Sequence, residues 1–514
     1  NFIMKKYYLF ILFLISFNLV SAQLSPQSKK ITEKFFKEYE ELENITPALK
    51  KKKGYTNYKE LIEFLNNIST AHPDKISLKY IGESAKGKKI PIMFLSNNSL
   101  NQQKLNIWMQ GGLHGDEPAG TEAMLYLIHT LLNDSKYTYL LDKIDLAILP
   151  MANIDGFLKN NRYAANGLDL NRDHTKLMAI ETRLIKDAFV QFNPDVALDF
   201  HEYRPYRKDF AQLSTFGICS AYDVMFHNSS NLNIPENIRI MIDTLFTKNA
   251  KDELDKINLR HRNYMKSEKI SGEIHFSQGT TTARSSSNSF ALNNVFASLF
   301  EIRGVGIAKT SFKRRVNSGL TLALSYLKTS YNNTDLIKEQ IEVANGMSNE
   351  IIVKIDKSIY SDKIQVIDID TNELIELDVM MRDAKKPIVK LKRVRPQGYI
   401  IKKEYSSIIS KLKNLGIEMS QIQNDTVIDI NKYLIKDYND NFLVYEKMKL
   451  QEVESELVGD VIQFSKGDYI IYMKQRRSNL IAELMEPEAP NSFVSFGLIK
   501  TSIDDVLPIF RLKN

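Results

Sequence analysis

His114-Gly-Asp-Glu117 directly follows one apolar run and His201 directly follows another, and this pairing constrains the fold more than any other feature of the chain. Leu105-Asn-Ile-Trp-Met109 reads as a buried strand. Gly111-Gly112 turns the chain, and Pro118 suits the first turn of a helix running through Leu132. Asp195-Val-Ala-Leu-Asp-Phe200 is a second short apolar strand, with His201 at its end. All three polar groups are thereby expected at carboxyl ends of strands, where open α/β sheets build their sites. Two histidines and one glutamate with an open fourth position form a catalytic zinc arrangement, because three protein ligands leave room for water. An H-x-x-E string alone is weak, since charged loops produce it by chance. The competing reading is a set of ordinary polar groups on βα loops.

Metal-assisted hydrolysis also needs a base, donors for a developing oxyanion, and groups that hold substrate. Phe300-Glu-Ile-Arg-Gly304 offers the carboxylate of Glu301 at the end of the apolar strand Val295-Phe-Ala-Ser-Leu-Phe300. Asn161-Arg-Tyr-Ala-Ala-Asn-Gly-Leu-Asp-Leu-Asn-Arg-Asp173 is dense in hydrogen-bonding groups and poor in apolar ones. Such a loop is either a solvated connection or a substrate clamp.

In this order the motifs resemble those of the zinc carboxypeptidases related to carboxypeptidase A: H-x-x-E, then R…G-x-D-x-N-R, a strand-terminal His, and F-E-x-R-G. The resemblance spans about Tyr55 to Lys328, is to the bacterial secreted type with an additional C-terminal domain, and opens with Tyr55-Thr-Asn-Tyr-Lys-Glu-Leu and Tyr80-Ile-Gly-Glu-Ser-Ala-Lys-Gly-Lys-Lys-Ile90. It implies one zinc held by His114, Glu117 and His201, with Glu301 as general base and proton shuttle. It implies that Asn171 and Arg172 grip a terminal carboxylate, a task suited to a planar guanidinium. Arg162 matches the arginine that stabilises the oxyanion, and Asp169 the carboxylate that orients the first zinc histidine.

Two departures stand out. Asp116 occupies the place of an arginine in the animal members. No tyrosine lies between Tyr264 and Glu301, where those members carry a mobile one; Gly279-Thr-Thr-Thr-Ala-Arg-Ser-Ser-Ser-Asn-Ser289 stands there instead and reads as a flexible polar stretch. Arg284 within it either replaces a lost contact or is a solvated loop arginine, the reading we favour. His129 reads as a packed core residue; His174 follows the clamp and is a candidate for approaching substrate. His72, His227, His261 and His275 read as surface residues and Arg303 as structural. Glu202 adjoins His201, but consecutive strand residues face opposite ways.

At 514 residues the chain exceeds one ordinary domain. Met4-Lys-Lys6, an apolar run from Tyr7 to Val20 and Val20-Ser-Ala22 resemble a signal peptide, implying a secreted or periplasmic protein with no stable membrane span after cleavage. The single cysteine, Cys219, excludes intrachain disulfides and reads as a packed residue. The net charge of +7 is mild, its signs are interspersed, and it gives no argument for nucleic acid. The expected organisation is a signal peptide over 1–22, a helical segment over 23–53, a catalytic domain over 54–347 and a β-rich accessory domain over 348–514. In that last domain, 350–356, 363–370 and 468–473 alternate as half-buried strands, and Tyr405 to Leu415 forms one helix. Asn479 to Phe496 resembles the tail of bacterial members of the family.

The expected fold is therefore α/β, a mixed central sheet flanked by helices followed by a smaller β-rich domain. The expected function is zinc-dependent removal of C-terminal residues from peptides bearing a free C-terminal carboxylate. The alternatives are a zinc amidase on cell-wall peptides, an N-acyl amino acid deacylase resembling aspartoacylase, and a binding module with a decayed site. The last predicts loss of a ligand or of Glu301, and none is lost.

Overall fold

Uninterrupted apolar runs bury both faces of a strand, and four of them make the middle of the principal sheet. A computed structural model describes residues 27–97, 103–347, 350–439 and 444–513; the signal-like residues 1–22 lie outside them. Among the described residues, eleven strands precede Met347: β1 (Ile76–Glu83), β2 (Lys89–Leu95), β3 (Leu105–Gly111), β4 (Ile144–Leu149), β5 (Val196–Tyr203), β6 (Ile218–Ser220), β7 (Val224–Phe226), β8 (His261–Asn263), β9 (Met265–Ile270), β10 (Glu273–Gln278) and β11 (Phe296–Arg303). Eight of these form one mixed sheet in the order β1-β2-β4-β3-β5-β11-β7-β8. The central four, β4, β3, β5 and β11, are parallel, whereas β2 and β7 run against their inner neighbours. Every residue of β5 is buried.

Helices Pro118–Asn133, Ile180–Phe192 and Phe312–Asn332 flank this sheet. Trp108 on β3 is fully buried and meets Phe189 of the second helix edge-on, with ring centroids 5.7 Å apart. The terminal helical stretch breaks at Asn333 into Phe312–Asn332 and Thr334–Gly346. The expected helix over 23–53 is instead a single short helix, Lys29–Phe35, capped by Ser28 and followed by turns. Pro47 and the uneven spacing of the buried Phe36, Leu42 and Leu49 prevent one continuous apolar helix face. The turns dock through polar groups: Glu38 accepts the backbone N–H groups of Phe312 and Lys313 at 2.8 and 2.9 Å.

The chain after Met347 is mostly strand. The two strands expected at 350–356 and 363–370 are one, β12 (Ile351–Asp368), whose register shifts at Lys354 and Lys357 break the alternation that suggested two. Its partner β13 (Leu374–Arg393) forms a long hairpin with it. That hairpin is inserted into a second sheet of order β6-β12-β13-β10-β9, between strands of the preceding region. A third sheet is built from β14 (Gly398–Ile401), β15 (Ser420–Gln421), β16 (Thr426–Asn439), β19 (Glu452–Phe464), β20 (Tyr469–Tyr472) and β21 (Val506–Leu512). A small hairpin, β17 (Val444–Tyr445) and β18 (Met448–Lys449), projects between β16 and β19. Helix Ser406–Asn414 falls where one was expected, and helix Ser478–Met485 is buried along its whole length. One apolar core runs from Leu61 through Trp108 and Phe200 to Tyr399, Leu484 and Phe493. Among the described residues no helix is long and apolar enough to cross a membrane.

Candidate active site

The polar groups singled out above converge at the carboxyl ends of β3, β5 and β11. His114 and Glu117 lie in the turn between β3 and helix Pro118–Asn133. Gly115 makes that turn possible: a Cβ there would sit 2.1 Å from the carbonyl carbon of Gly156 and 2.3 Å from the nitrogen of Phe157. His201 and Glu301 do not follow their strands but lie inside them, and they are directly paired across β5 and β11. Register therefore fixes the base candidate beside the ligand candidate.

His114 Nδ1, His201 Nδ1 and the Glu117 carboxylate face one another. The two imidazole atoms lie 2.7 and 2.8 Å from Glu117 Oε1 and Oε2 and 3.0 Å from each other. The outer nitrogens are tied off: His114 Nε2 lies 3.0 Å from Asp169 Oδ1, and His201 Nε2 2.9 Å from Asp199 Oδ2. With both Nε2–H groups donated outward, both Nδ1 atoms present lone pairs to a carboxylate. Electron-rich atoms that close repel unless a cation lies among them. All three residues are buried and their ligand atoms lie within 4.8 Å of one another, so the donor set fits one zinc ion. The same fields act on protons. Burial disfavours charge on His201, but Asp199 and Glu117 outweigh it and raise its pKa well above the ordinary value. Burial likewise opposes ionisation of Glu117, yet the two imidazoles hold its pKa far below the carboxylate range.

Around this trio, Asp169 is the hub. It accepts from Arg162 Nε and Nη2 at 3.0 and 2.9 Å and from the backbone N–H of Asn171 at 2.8 Å. Arg162 Nη1 turns toward Glu117 Oε1 at 3.4 Å. Asn171 Oδ1 accepts the N–H of Ser286 at 2.8 Å, an assignment that leaves its Nδ2 as a donor facing away. Arg172 donates from Nη1 to the carbonyl of Asn171, and among the described residues it has no carboxylate partner. The Glu301 carboxyl is pushed up to about 7, by burial first and by the charge of Glu117 second. Glu202 points the other way, as alternation requires, and pairs with Arg315 Nε at 2.8 Å and with the N–H of Ala119 at 3.0 Å. Gly304 follows from that pair, since a Cβ there would lie 1.7 Å from Glu202 Oε1.

Several residues differ from their sequence reading. Asp199 was passed over, although the Asp-x-His spacing on a strand puts both side chains on one face. His227 is not a surface residue. It packs edge-on against Tyr264 with centroids 4.5 Å apart, and burial, Arg172 and His201 bring its pKa down to about 3. Its signal was the short run Val224-Met-Phe226 ending in histidine, a miniature of the β5 pattern. His174 is buried against Phe290, with ring centroids 5.5 Å apart and neither ring nitrogen hydrogen-bonded. The polar stretch 279–289 is not a flexible loop: Ser286 to Ser289 are buried in helix Ser286–Ala291, and the Ser286 hydroxyl donates to Asp199. Arg284 is half-buried, and its guanidinium lies 4.5 Å from the centre of the Tyr445 ring. The tail helix Ser478–Met485 docks through Glu483, which accepts from Asn231 Nδ2 and Asn233 Nδ2 at 2.7 and 2.8 Å. Asp116 Oδ1 is buried without a hydrogen-bond partner.

Comparison with known proteins gives concordant matches. A family model described as zinc carboxypeptidase matches residues 61–196. Carboxypeptidase 2 of Trichophyton rubrum is 32% identical over 449 residues, covering 84% of this chain and 82% of that protein. Probable carboxypeptidase 2 of Arthroderma benhamiae is 30% identical over 442 residues, covering 83% and 80% respectively. Among solved structures, a metallo-carboxypeptidase from Burkholderia cenocepacia aligns over 54% of this chain and 69% of its own, with 16% identity and a TM-score of 0.43.

Proposed function

Since the chain belongs to the zinc carboxypeptidase family and is a zinc-dependent metallocarboxypeptidase acting on peptides, we propose that it trims single residues from free C-termini with Glu301 as general base. The observation that carries this reading is the direct pairing of Glu301 with His201, together with a guanidinium on the clamp loop, Arg172, that donates to the carbonyl of Asn171 and among the described residues has no carboxylate partner. Zinc held by His114, Glu117 and His201 supplies a Lewis acid that acidifies water and polarises a carbonyl.

The remaining work falls to side chains. The Glu301 carboxylate, paired directly beside His201, takes a proton from the attacking water and delivers it to the leaving amine nitrogen. Arg162 is held by Asp169 through two of its nitrogens, which aims Nη1 at the ligand cluster, where an oxyanion develops. Asn171 Nδ2 and Arg172 receive the substrate's terminal carboxylate, the guanidinium by a charge-assisted bond. Residues 54–347 supply all of these groups, and 348–514 acts as an accessory region; the signal-like 1–22 supports export.

The test compares kcat/KM for one peptide with a free and with an amidated C-terminus, in the wild type and in Arg172→Ala. A guanidinium that loses its anionic partner leaves the amide poorly bound, so the wild type should strongly favour the free acid and the variant should lose most of that preference. Equal cleavage of both peptides, or cuts inside the chain, would overturn the reading and favour the cell-wall amidase.

A further inference from the structure

The hairpin β17–β18 turns through Glu446 and Lys447, both with left-handed backbone at φ 48° and 62°. A two-residue turn between paired strands requires that conformation at both positions. Both turn side chains reach the clamp loop: Glu446 Oε2 accepts the N–H of Asp169 at 2.8 Å, and Lys447 Nζ donates to the carbonyl of Asn166. A tip from the third sheet is thus bolted to the loop that carries Arg162, Asn171 and Arg172.

Next to that tip, Tyr445 covers the guanidinium of Arg284. The backbone of Arg284 is fixed from the opposite side. Its carbonyl accepts from the N–H of His174 at 3.1 Å, and its N–H donates to Asn491 Oδ1 at 3.3 Å. Its Nε is buried with no partner, and among the described residues no carboxylate stands within ion-pair distance. The charged groups that face it are Arg172, Asp169 and Glu446. Asp169 is committed to His114, Arg162 and Asn171, and Glu446 to the backbone of Asp169. Burial, and then the repulsion of Arg172, work against the charge on Arg284. The charges of Arg172 and Arg284 therefore oppose one another at the clamp, and among the described residues neither has a carboxylate within ion-pair distance.

We propose that Arg284, held under Tyr445, is the side-chain specificity residue of this enzyme and selects C-terminal residues that carry a carboxylate, glutamate or aspartate. A substrate ending in such a residue brings two anions, one for each arginine. The proposal rests on the reading of Arg172 as the clamp for the terminal carboxylate. A guanidinium with one face against an aromatic ring keeps its edges free, and the edge is where a carboxylate binds in a bidentate manner. Tyr445 acts as a positioning residue, so the accessory region contributes directly to substrate choice.

The experiment uses the zinc-loaded full chain and N-acylated peptides that differ only in the last residue, Glu, Gln, Leu or Lys, all with free carboxylates. Glu and Gln are nearly isosteric, so their kcat/KM ratio isolates the charge. A ratio of about 10²-fold or more in favour of Glu is expected of the wild type. Arg284→Gln should bring that ratio below about 10-fold, and Arg284→Glu should move the preference toward Lys, with zinc content and melting temperature held near the wild type. Tyr445→Ala should lower the ratio and Tyr445→Phe, which keeps the ring, should restore it. Similar efficiency for Glu, Gln and Leu in the wild type would overturn the proposal and leave the carboxypeptidase reading intact. So would a Glu preference that survives in a folded Arg284→Gln. Failure to trim any free-acid peptide would instead refute the carboxypeptidase reading on which the proposal stands.

Discussion

Asp199 offers a clean separation of charge from geometry at the metal site. Its Oδ2 accepts both His201 Nε2, at 2.9 Å, and the Ser286 hydroxyl, whereas its Oδ1 is buried with no partner. In Asp199→Asn the amide oxygen can take the place of Oδ2 and keep both bonds, with the NH2 group falling where no donor was bound. That variant removes the negative charge alone, while Asp199→Ala removes charge and bond together. Both partners are only 1% exposed, so solvent does not replace what is lost. Loss of a carboxylate that orients a ligating histidine weakens metal binding about 10- to 100-fold, or about 1.4 to 2.7 kcal/mol. A hydrogen bond to a charged group, at about 1.5 to 3 kcal/mol, gives the same range independently. We therefore expect the zinc dissociation constant to rise about 10-fold in Asp199→Asn and about 100-fold in Asp199→Ala. A chromophoric chelator titration measures this, and unfolding of the metal-free proteins corrects for any loss of stability. Zinc affinity within twofold of wild type in the alanine variant would refute the argument that Asp199 sets the orientation of His201.

Two further outcomes follow from buried carboxyls. Glu301→Gln should retain one zinc per chain by elemental analysis while kcat falls about 10²- to 10⁴-fold; near-wild-type turnover would mean that Glu301 is not the base. Burial pushes Glu483 up to about 7 from an ordinary 4.5, with Asn231 and Asn233 offsetting only part of the effect. Its contribution to stability is therefore full below pH 4.5 and is lost as pH rises through 7. Glu483→Gln, neutral throughout, should match the wild type near pH 4 and exceed it by about 3 kcal/mol at pH 8. A stability difference that does not change with pH, followed by denaturant unfolding, would contradict the assignment.

How much was legible in the sequence depended on how local each signal was. The metal trio and Glu301 were readable because central parallel strands are continuous apolar runs, so a polar residue at their carboxyl ends stands out. Those strands prove longer than their apolar cores, and only the register between β5 and β11 shows that Glu301 is the direct neighbour of His201. Asp199 carried a local signal, a two-residue spacing on one strand, that attention to the ligand itself obscured. Arg284 carried none. Its environment comes from Tyr445 and Asn491, both more than 150 positions away in the chain, and no periodicity near residue 284 encodes either. The segment 27–53 misled for a related reason: its lysines and glutamates suit a solvated helix, yet Lys34 pairs with Glu373 and Glu38 accepts the N–H groups of Phe312 and Lys313.

The insertion of β12 and β13 between β6 and β10 sets a schedule for synthesis. Ser220 leaves the ribosome long before Arg393, and at about 5 to 20 residues per second the interval between them lasts about 10 to 30 s. Through that time β6 has an open edge, and so does β10 once Gln278 has been made, since the hairpin that separates and pairs them does not yet exist. Exposed edges of this kind invite pairing with other chains. A nascent chain released after Gly346 would hold His114, Glu117, His201 and Glu301 and still present two open strand edges to its neighbours. Expression of the catalytic region alone is thus a problem of aggregation before it is a problem of activity, and the last third of the chain doubles as its protection.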